Sequence, residues 1–132
     1  MLHHLSLGVS DIERSAAFYD AALAPLGYVR VWADIRPGEP NQAVGYGVPG
    51  GKDKLALKHR PEAQRPPGPG FHIAFAAPDP HAVSEFYRAA LRHGGTDNGA
   101  PGLRAHYGPR YFAAFVIDLD GHHIEAVCNE DR

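Results

Sequence analysis

Nine histidines occur among 132 residues, and imidazole is both a proton carrier and a common metal ligand. Their positions on strand-like runs decide which can act together. Residues 2–9 read LHHLSLGV, with His3, Leu5, Leu7 and Val9 on an apolar face and His4, Ser6 and Gly8 on the other. Residues 71–77 repeat the pattern, with Phe71, Ile73, Phe75 and Ala77 opposite His72, Ala74 and Ala76. Near the end of the chain, Ile124, Ala126 and Cys128 share an apolar face, leaving His123, Glu125 and Val127 opposite. Strand parity therefore sends His4, His72 and Glu125 to faces that are not needed for the core. Two imidazoles and a carboxylate can hold a borderline divalent ion and leave positions open to water or substrate. They can equally line a polar cup, or form a His–Glu hydrogen bond with no metal. His3, His81, His93, His122 and His123 have no motif around them and are expected to be structural or surface residues.

The elements that would position these side chains come in duplicate. Ser10 followed by Glu13 has capping-box spacing, and Ile12, Ala16, Phe18, Tyr19 and Leu23 then follow a helical period over 12–24, ended by Pro25 and Gly27. Strands are expected at Tyr28–Trp32, Gln42–Gly47 and Lys54–His59, with a loop over 33–41. Residues 60–70, RPEAQRPPGPG, read as a linker. The second strand–helix unit has Asp79 as N-cap and Pro80 at the first helical position, and Gly94-Gly95 as its stop. A long loop over 96–110 precedes strands at Tyr111–Ile117 and His122–Cys128, joined by Asp118-Leu119-Asp120-Gly121. His4 and His72, Asp11 and Asp79, and Gly27 and Gly95 are each 68 positions apart (72 − 4, 79 − 11, 95 − 27). A duplicated βαβββ module is the economical explanation. It predicts an α+β domain spanning 1–132, with module 1 at about 1–60, a linker at 61–70 and module 2 at about 71–132.

Apolar residues make up 44% and charged residues 21%, ordinary values for a globular domain with a hydrophobic core. The net charge of −2, with dispersed basic residues, offers no footprint for nucleic acid or an acidic membrane. A single cysteine, Cys128, cannot form an intrachain disulfide and points to a reducing compartment. No signal-peptide pattern and no membrane-length apolar run is present, so a cytoplasmic location is expected. No G-x-S-x-G, P-loop or dinucleotide fingerprint occurs.

The segments HLSLGVSDIERSAAFYDAAL, FHIAFAAPDPHAVSEFYRAALRHGG and FVIDLDGHHIEAV resemble the module openings and the closing hairpin of the vicinal oxygen chelate superfamily. That superfamily includes glyoxalase I, bleomycin-resistance proteins, fosfomycin-resistance enzymes and extradiol dioxygenases. The resemblance covers nearly the whole chain and implies paired βαβββ modules whose sheets form a cup. Metal-binding members place a His on the first strand of each module and a Glu on the last strand, positions matched here by His4, His72 and Glu125. The implied cofactor is a divalent ion such as Zn, Ni, Mn or Fe(II). Glyoxalase I-like sites add a carboxylate on the last strand of module 1. Here Ala56 and Lys58 face the cup instead, and His59 has the wrong parity, which argues against glyoxalase I activity itself.

The loop PGLRAHYGPRY (101–111) also resembles related members. In it Arg104 can bind an anionic group, and His106, Tyr107 and Tyr111 can supply hydrogen bonds or proton transfer; packing of the loop by its own aromatics is the alternative. Trp32 and Tyr46 either line the cup or pack in the core. Two functions follow from the resemblance. One is a metal-dependent lyase, isomerase or dioxygenase acting on a small oxygen-chelating substrate, with Glu125 or Tyr107 as base. The other is a metal-free small-molecule binder of the bleomycin-resistance type. The family also implies a homodimer.

Overall fold

The computed structural model describes residues 1–62 and 66–129; part of the expected linker (63–65) and the end of module 2 (130–132) lie outside the described residues. Module 1 runs β1 (Leu5–Val9), α1 (Ile12–Leu23), a 3-10 turn (Ala24–Leu26), β2 (Val29–Asp34), β3 (Ala43–Gly47) and β4 (Leu55–His59). Module 2 runs β5 (Ile73–Ala76), α2 (Pro80–Arg92), the short strands β6 (Thr96–Asp97) and β7 (Gly102–Leu103), β8 (Phe112–Ile117) and β9 (His123–Cys128). Each module forms its own sheet, ordered β1-β4-β3-β2 and β5-β9-β8-β6, with β7 also on β8. In both sheets the first strand pairs parallel with the last.

The helices start where a side chain can satisfy free backbone N–H groups. Asp79 caps α2 as expected, accepting from the Ala82 N–H at 2.8 Å with Pro80 in the first turn. The cap of α1 is Asp11, which accepts from the Arg14 N–H at 3.1 Å. It is not Ser10, whose own N–H donates to Asp120 at 3.1 Å. The 68-residue offset thus holds for the two caps. At the helix ends it slips by one, because the left-handed backbone of Gly27 (φ 90°) recurs at Gly94 (φ 98°). Gly95 is required for a different reason: a Cβ there would lie 2.9 Å from both the Ala90 carbonyl and the Phe18 ring.

One continuous core joins the modules. It takes Leu7 and Val9 from β1, Phe18 and Leu23 from α1, Leu55 and Leu57 from β4, Phe86 from α2, and Ile124, Ala126 and Cys128 from β9. The expected parity of β1, β4 and β9 is therefore observed. Helices α1 and α2 pack against each other. The β8–β9 turn reinforces this junction, since Tyr19 donates to Asp118 at 2.6 Å and His122 Nε2 donates to the Gly8 carbonyl at 2.9 Å. Tyr28 adds a hydrogen bond to the Ala76 carbonyl at 2.8 Å. Among the described residues, no helix is long and apolar enough to cross a membrane.

Candidate active site

Glu125 occupies the middle of β9 on the face away from α2, between Ala74 of β5 and Phe115 of β8. Only 1% of it is exposed. A buried carboxylate needs partners to offset its lost hydration, and Glu125 has two. Its Oε1 lies 2.8 Å from His72 Nε2, and its Oε2 accepts from the Tyr111 hydroxyl at 2.5 Å. Neither partner carries a fixed positive charge. Burial, then the hydrogen bond to Glu125, pushes the Tyr111 phenol up to about 12. Tyr111 is thus a proton donor to the carboxylate across the neutral range, and not a base.

His72 immediately precedes β5 and is about half exposed, with its ring against that of Phe115 at a centroid distance of 6.3 Å. His72 and Glu125 therefore converge on one point at the open surface of the second sheet. Two ligands bound side by side to a divalent ion at about 2.1 Å would lie roughly 3 Å apart. The 2.8 Å between His72 Nε2 and Glu125 Oε1 fits that spacing, and the donor types suit such an ion.

His4 is elsewhere. It lies exposed just ahead of β1, its Nδ1 2.9 Å from Nδ1 of His3. Among the described residues no group of three His, Cys, Asp or Glu side chains is gathered. The chain brings together His72 and Glu125 and leaves His4 apart, because the modules meet through their helices and not through the faces that carry these residues.

The loop before β8 reaches the pair through Tyr111, which bonds to Glu125. Tyr107 is 61% exposed and stacks between His106 (4.1 Å) and Tyr111 (5.2 Å). The phenol that reaches Glu125 is that of Tyr111, with Tyr107 one ring further out. Arg104 lies over Phe115 at 5.3 Å, and it donates to the carbonyls of Gly102 at 2.9 Å and Ala100 at 2.7 Å. Its first role is to fold the loop over the strand next to Glu125.

The first sheet presents a different surface. The offset of 68 equates Ser6 with Ala74 (74 − 6); their strand partners are Ala56 and Glu125. Ala56 thus stands in module 1 where Glu125 stands in module 2, and Lys58 follows on the same face. Beside Ala56 lie Gly45 and then Trp32. A β-bulge between Arg30 and Trp32 turns Trp32 to this face, while Arg30 reaches the helix side to bind Asp20 at 2.8 Å. Tyr46 corrects the expectation of a cup-lining residue. It is 1% exposed and points to the helix side, where its hydroxyl donates toward the Ala16 carbonyl (3.0 Å) and Asp20 (2.9 Å).

Three comparisons bear on this architecture. A glyoxalase/bleomycin resistance protein from Albidiferax ferrireducens has a similar structure, with a TM-score of 0.75 and 28% identity over 96% of this chain and 97% of that one. A variant of the fosfomycin resistance protein FosX from Listeria monocytogenes, complexed with Mn(II) and 1S,2S-dihydroxypropylphosphonic acid, has a TM-score of 0.70 at 16% identity, covering 98% of this chain and 92% of that one. A glyoxalase I variant from Zea mays has a TM-score of 0.68 at 21% identity, covering 96% of this chain and 45% of that one. The last two are alike in fold alone. No curated protein sequence matches the chain. The model of the Glyoxalase/Bleomycin resistance protein/Dioxygenase superfamily matches residues 1–126, and the chain belongs to that superfamily.

Proposed function

We propose that the protein is a divalent-metal-dependent lyase, isomerase or dioxygenase acting on a small substrate with two adjacent oxygens. It works as a homodimer in which His4 of one copy joins His72 and Glu125 of the other. The observation that carries this reading is the buried Glu125, held by an imidazole and a phenol and, among the described residues, by no Arg or Lys. A carboxylate placed for stability alone would ordinarily be matched by Arg or Lys. Pairing of two copies is supported by what a single chain leaves open. β1 and β5 are sheet edges, Ser6, Ala74 and Ala76 are exposed, and Trp32, Phe71, Leu103 and Tyr107 are large exposed apolar side chains.

His72, Glu125 and the second copy's His4 would hold a divalent ion, with donor types that suit Zn, Ni, Mn or Fe(II). When bound, it supplies Lewis-acid polarisation of the substrate oxygens. Tyr111 keeps its proton and orients Glu125 through Oε2, leaving Oε1 beside His72. Proton removal from substrate falls to Glu125, and Tyr107 closes the rim through its contact with Tyr111. Ala56, standing where a fourth ligand would come from module 1, favours a three-ligand centre over that of glyoxalase I.

Ala56 and Lys58 also favour a second reading, a metal-free binder of the bleomycin-resistance type. Metal analysis after incubation with Zn, Ni, Mn and Fe(II) separates the two. The expected result is one divalent ion per chain, lost in His72→Ala. A protein that takes up none of the four is the binder.

A further inference from the structure

The open face of the first sheet has a composition that structural packing does not require. Two cross-strand rows run over it. One is Ser6, Ala56, Gly45 and Trp32; the next is Gly8, Lys58, Ala43 and Asp34. Five of these eight residues are Gly, Ala or Ser at the floor, and the three larger side chains that stand above it are Trp32, Lys58 and Asp34.

Trp32 lies flat because Gly45 lets it. A Cβ on Gly45 would sit 2.3 Å from the indole Nε1 and 2.4 Å from Cε2. Yet Trp32 remains 38% exposed, so this close approach buries it only in part. Lys58 Nζ is 5.9 Å from the ring centre. Among the described residues no carboxylate lies within ion-pair distance of Lys58. Asp34, in the same row, is engaged by Arg36 at 2.7 Å. The other acidic residue at this face is Asp53, whose Cβ would be 2.9 Å from a Cβ on Gly45. It precedes β4, so it flanks Trp32 from the end opposite Lys58.

We propose that this face is the substrate-recognition half of the site, and that the substrate class is a small carboxylate attached to a flat unsaturated or aromatic group. The carboxylate pairs with the Lys58 ammonium and the flat group packs on the indole of Trp32. An ammonium without a carboxylate partner is a point charge ready for an anion, and an exposed indole offers a flat apolar surface beside it. Asp53 repels an anion from the other end and so fixes the orientation. The proposal rests on the homodimer reading above, in which this face of one copy lies opposite His72 and Glu125 of the other.

Trp32 is the only tryptophan in the chain, so tryptophan emission, excited beyond the tyrosine absorption band, reports this face alone. The experiment titrates the full-length protein at constant ionic strength with sodium benzoate and with benzamide, a neutral molecule of the same shape, with metal uptake measured on the same preparations. Benzoate is expected to change Trp32 emission saturably and to bind at least about tenfold more tightly than benzamide, the range of a charge-assisted contact. In Lys58→Met benzoate falls to the level of benzamide, and Lys58→Arg restores most of the difference. The preference persists in His72→Ala, because the carboxylate sits on Lys58 and not on an ion. Equal binding of benzoate and benzamide, no saturable response to benzoate, or loss of the preference in His72→Ala would overturn the proposal. The wild-type ratio decides by itself if a variant fails to fold. Metal uptake lost only with His72 while benzoate shows no preference would sink the recognition face and leave the metal centre standing. The reverse pattern would do the opposite.

Discussion

Glu125→Gln is expected to lower divalent-metal affinity by more than roughly 100-fold, beyond the loss usual for an outer-shell change, while leaving the folded state as stable as before or slightly more so. The two effects have opposite causes. Gln keeps the size of the side chain and an oxygen for the Tyr111 hydroxyl, so packing around β9 is preserved. It removes a negative charge from a position only 1% exposed, where hydration is lost and, among the described residues, no Arg or Lys compensates. A group kept for stability would not behave this way. Isothermal titration with Mn(II) or Zn(II) and thermal unfolding on the same variant give the two readouts. Undiminished metal binding would contradict the assignment of Glu125 as a ligand. A large fall in melting temperature would instead mark it as a structural residue.

The second large effect is on folding. Asp118→Ala should cost about 3–4 kcal/mol, since hydrogen bonds to charged groups are worth ~1.5–3 kcal/mol each and an unmatched buried hydroxyl adds to the loss. Asp118 is buried in the β8–β9 turn. One oxygen accepts from the backbone N–H groups of Asp120 (2.9 Å) and His122 (2.8 Å), and the other from the Tyr19 hydroxyl (2.6 Å). Burial, then the nearby Asp118 carboxylate, raises the Tyr19 phenol well above its ordinary value, so that side chain stays a donor. The same turn sends Asp120 to the Ser10 N–H and to the Ser15 hydroxyl at 3.4 Å. A hairpin of module 2 thus anchors the first helix of module 1. Asp118→Asn keeps an acceptor for the turn N–H groups and should recover most of the stability. Urea unfolding of the two variants measures the difference. Equal, small losses would mean that the turn contributes little to the junction.

Much of this was legible because strand parity is a local property. Alternation alone assigned the core faces of β1, β4, β5 and β9, and hence the open faces of His72 and Glu125. Asp79-Pro80 marked its helix start because only one residue there could cap. At Ser10-Asp11 two adjacent residues could, and the tertiary contact to Asp120 decided between them. Trp32 and Tyr46 were not separable from local pattern. β3 is buried on both faces, so its sequence carries no alternation to orient Tyr46, and the bulge that turns Trp32 outward exists only in the pairing of β2 with β3. In the loop before β8 the sequence points to Tyr107 as the candidate base and to Tyr111 only as a substrate contact, whereas the phenol at Glu125 is that of Tyr111. Which phenol meets Glu125 depends on how Arg104 folds the loop onto Phe115. The largest gap concerns His4. Periodicity reports which face a residue occupies, but not which face of which copy it will meet.

That gap is also where the metal-site reading can be tested most directly. His4→Ala and His72→Ala, purified separately, should each take up no stoichiometric ion. Mixed in equal amounts under conditions that exchange subunits, they should regain about one quarter of the wild-type sites. Half of the resulting dimers are mixed, and each of these has one intact pairing of His4 with His72 and Glu125 and one doubly defective pairing, as two-fold symmetry requires. Metal content of the mixture, measured before and after exchange, is the observable. Recovery near one quarter is the predicted result. No gain on mixing, or full metal binding by His4→Ala alone, would contradict a centre shared between two copies.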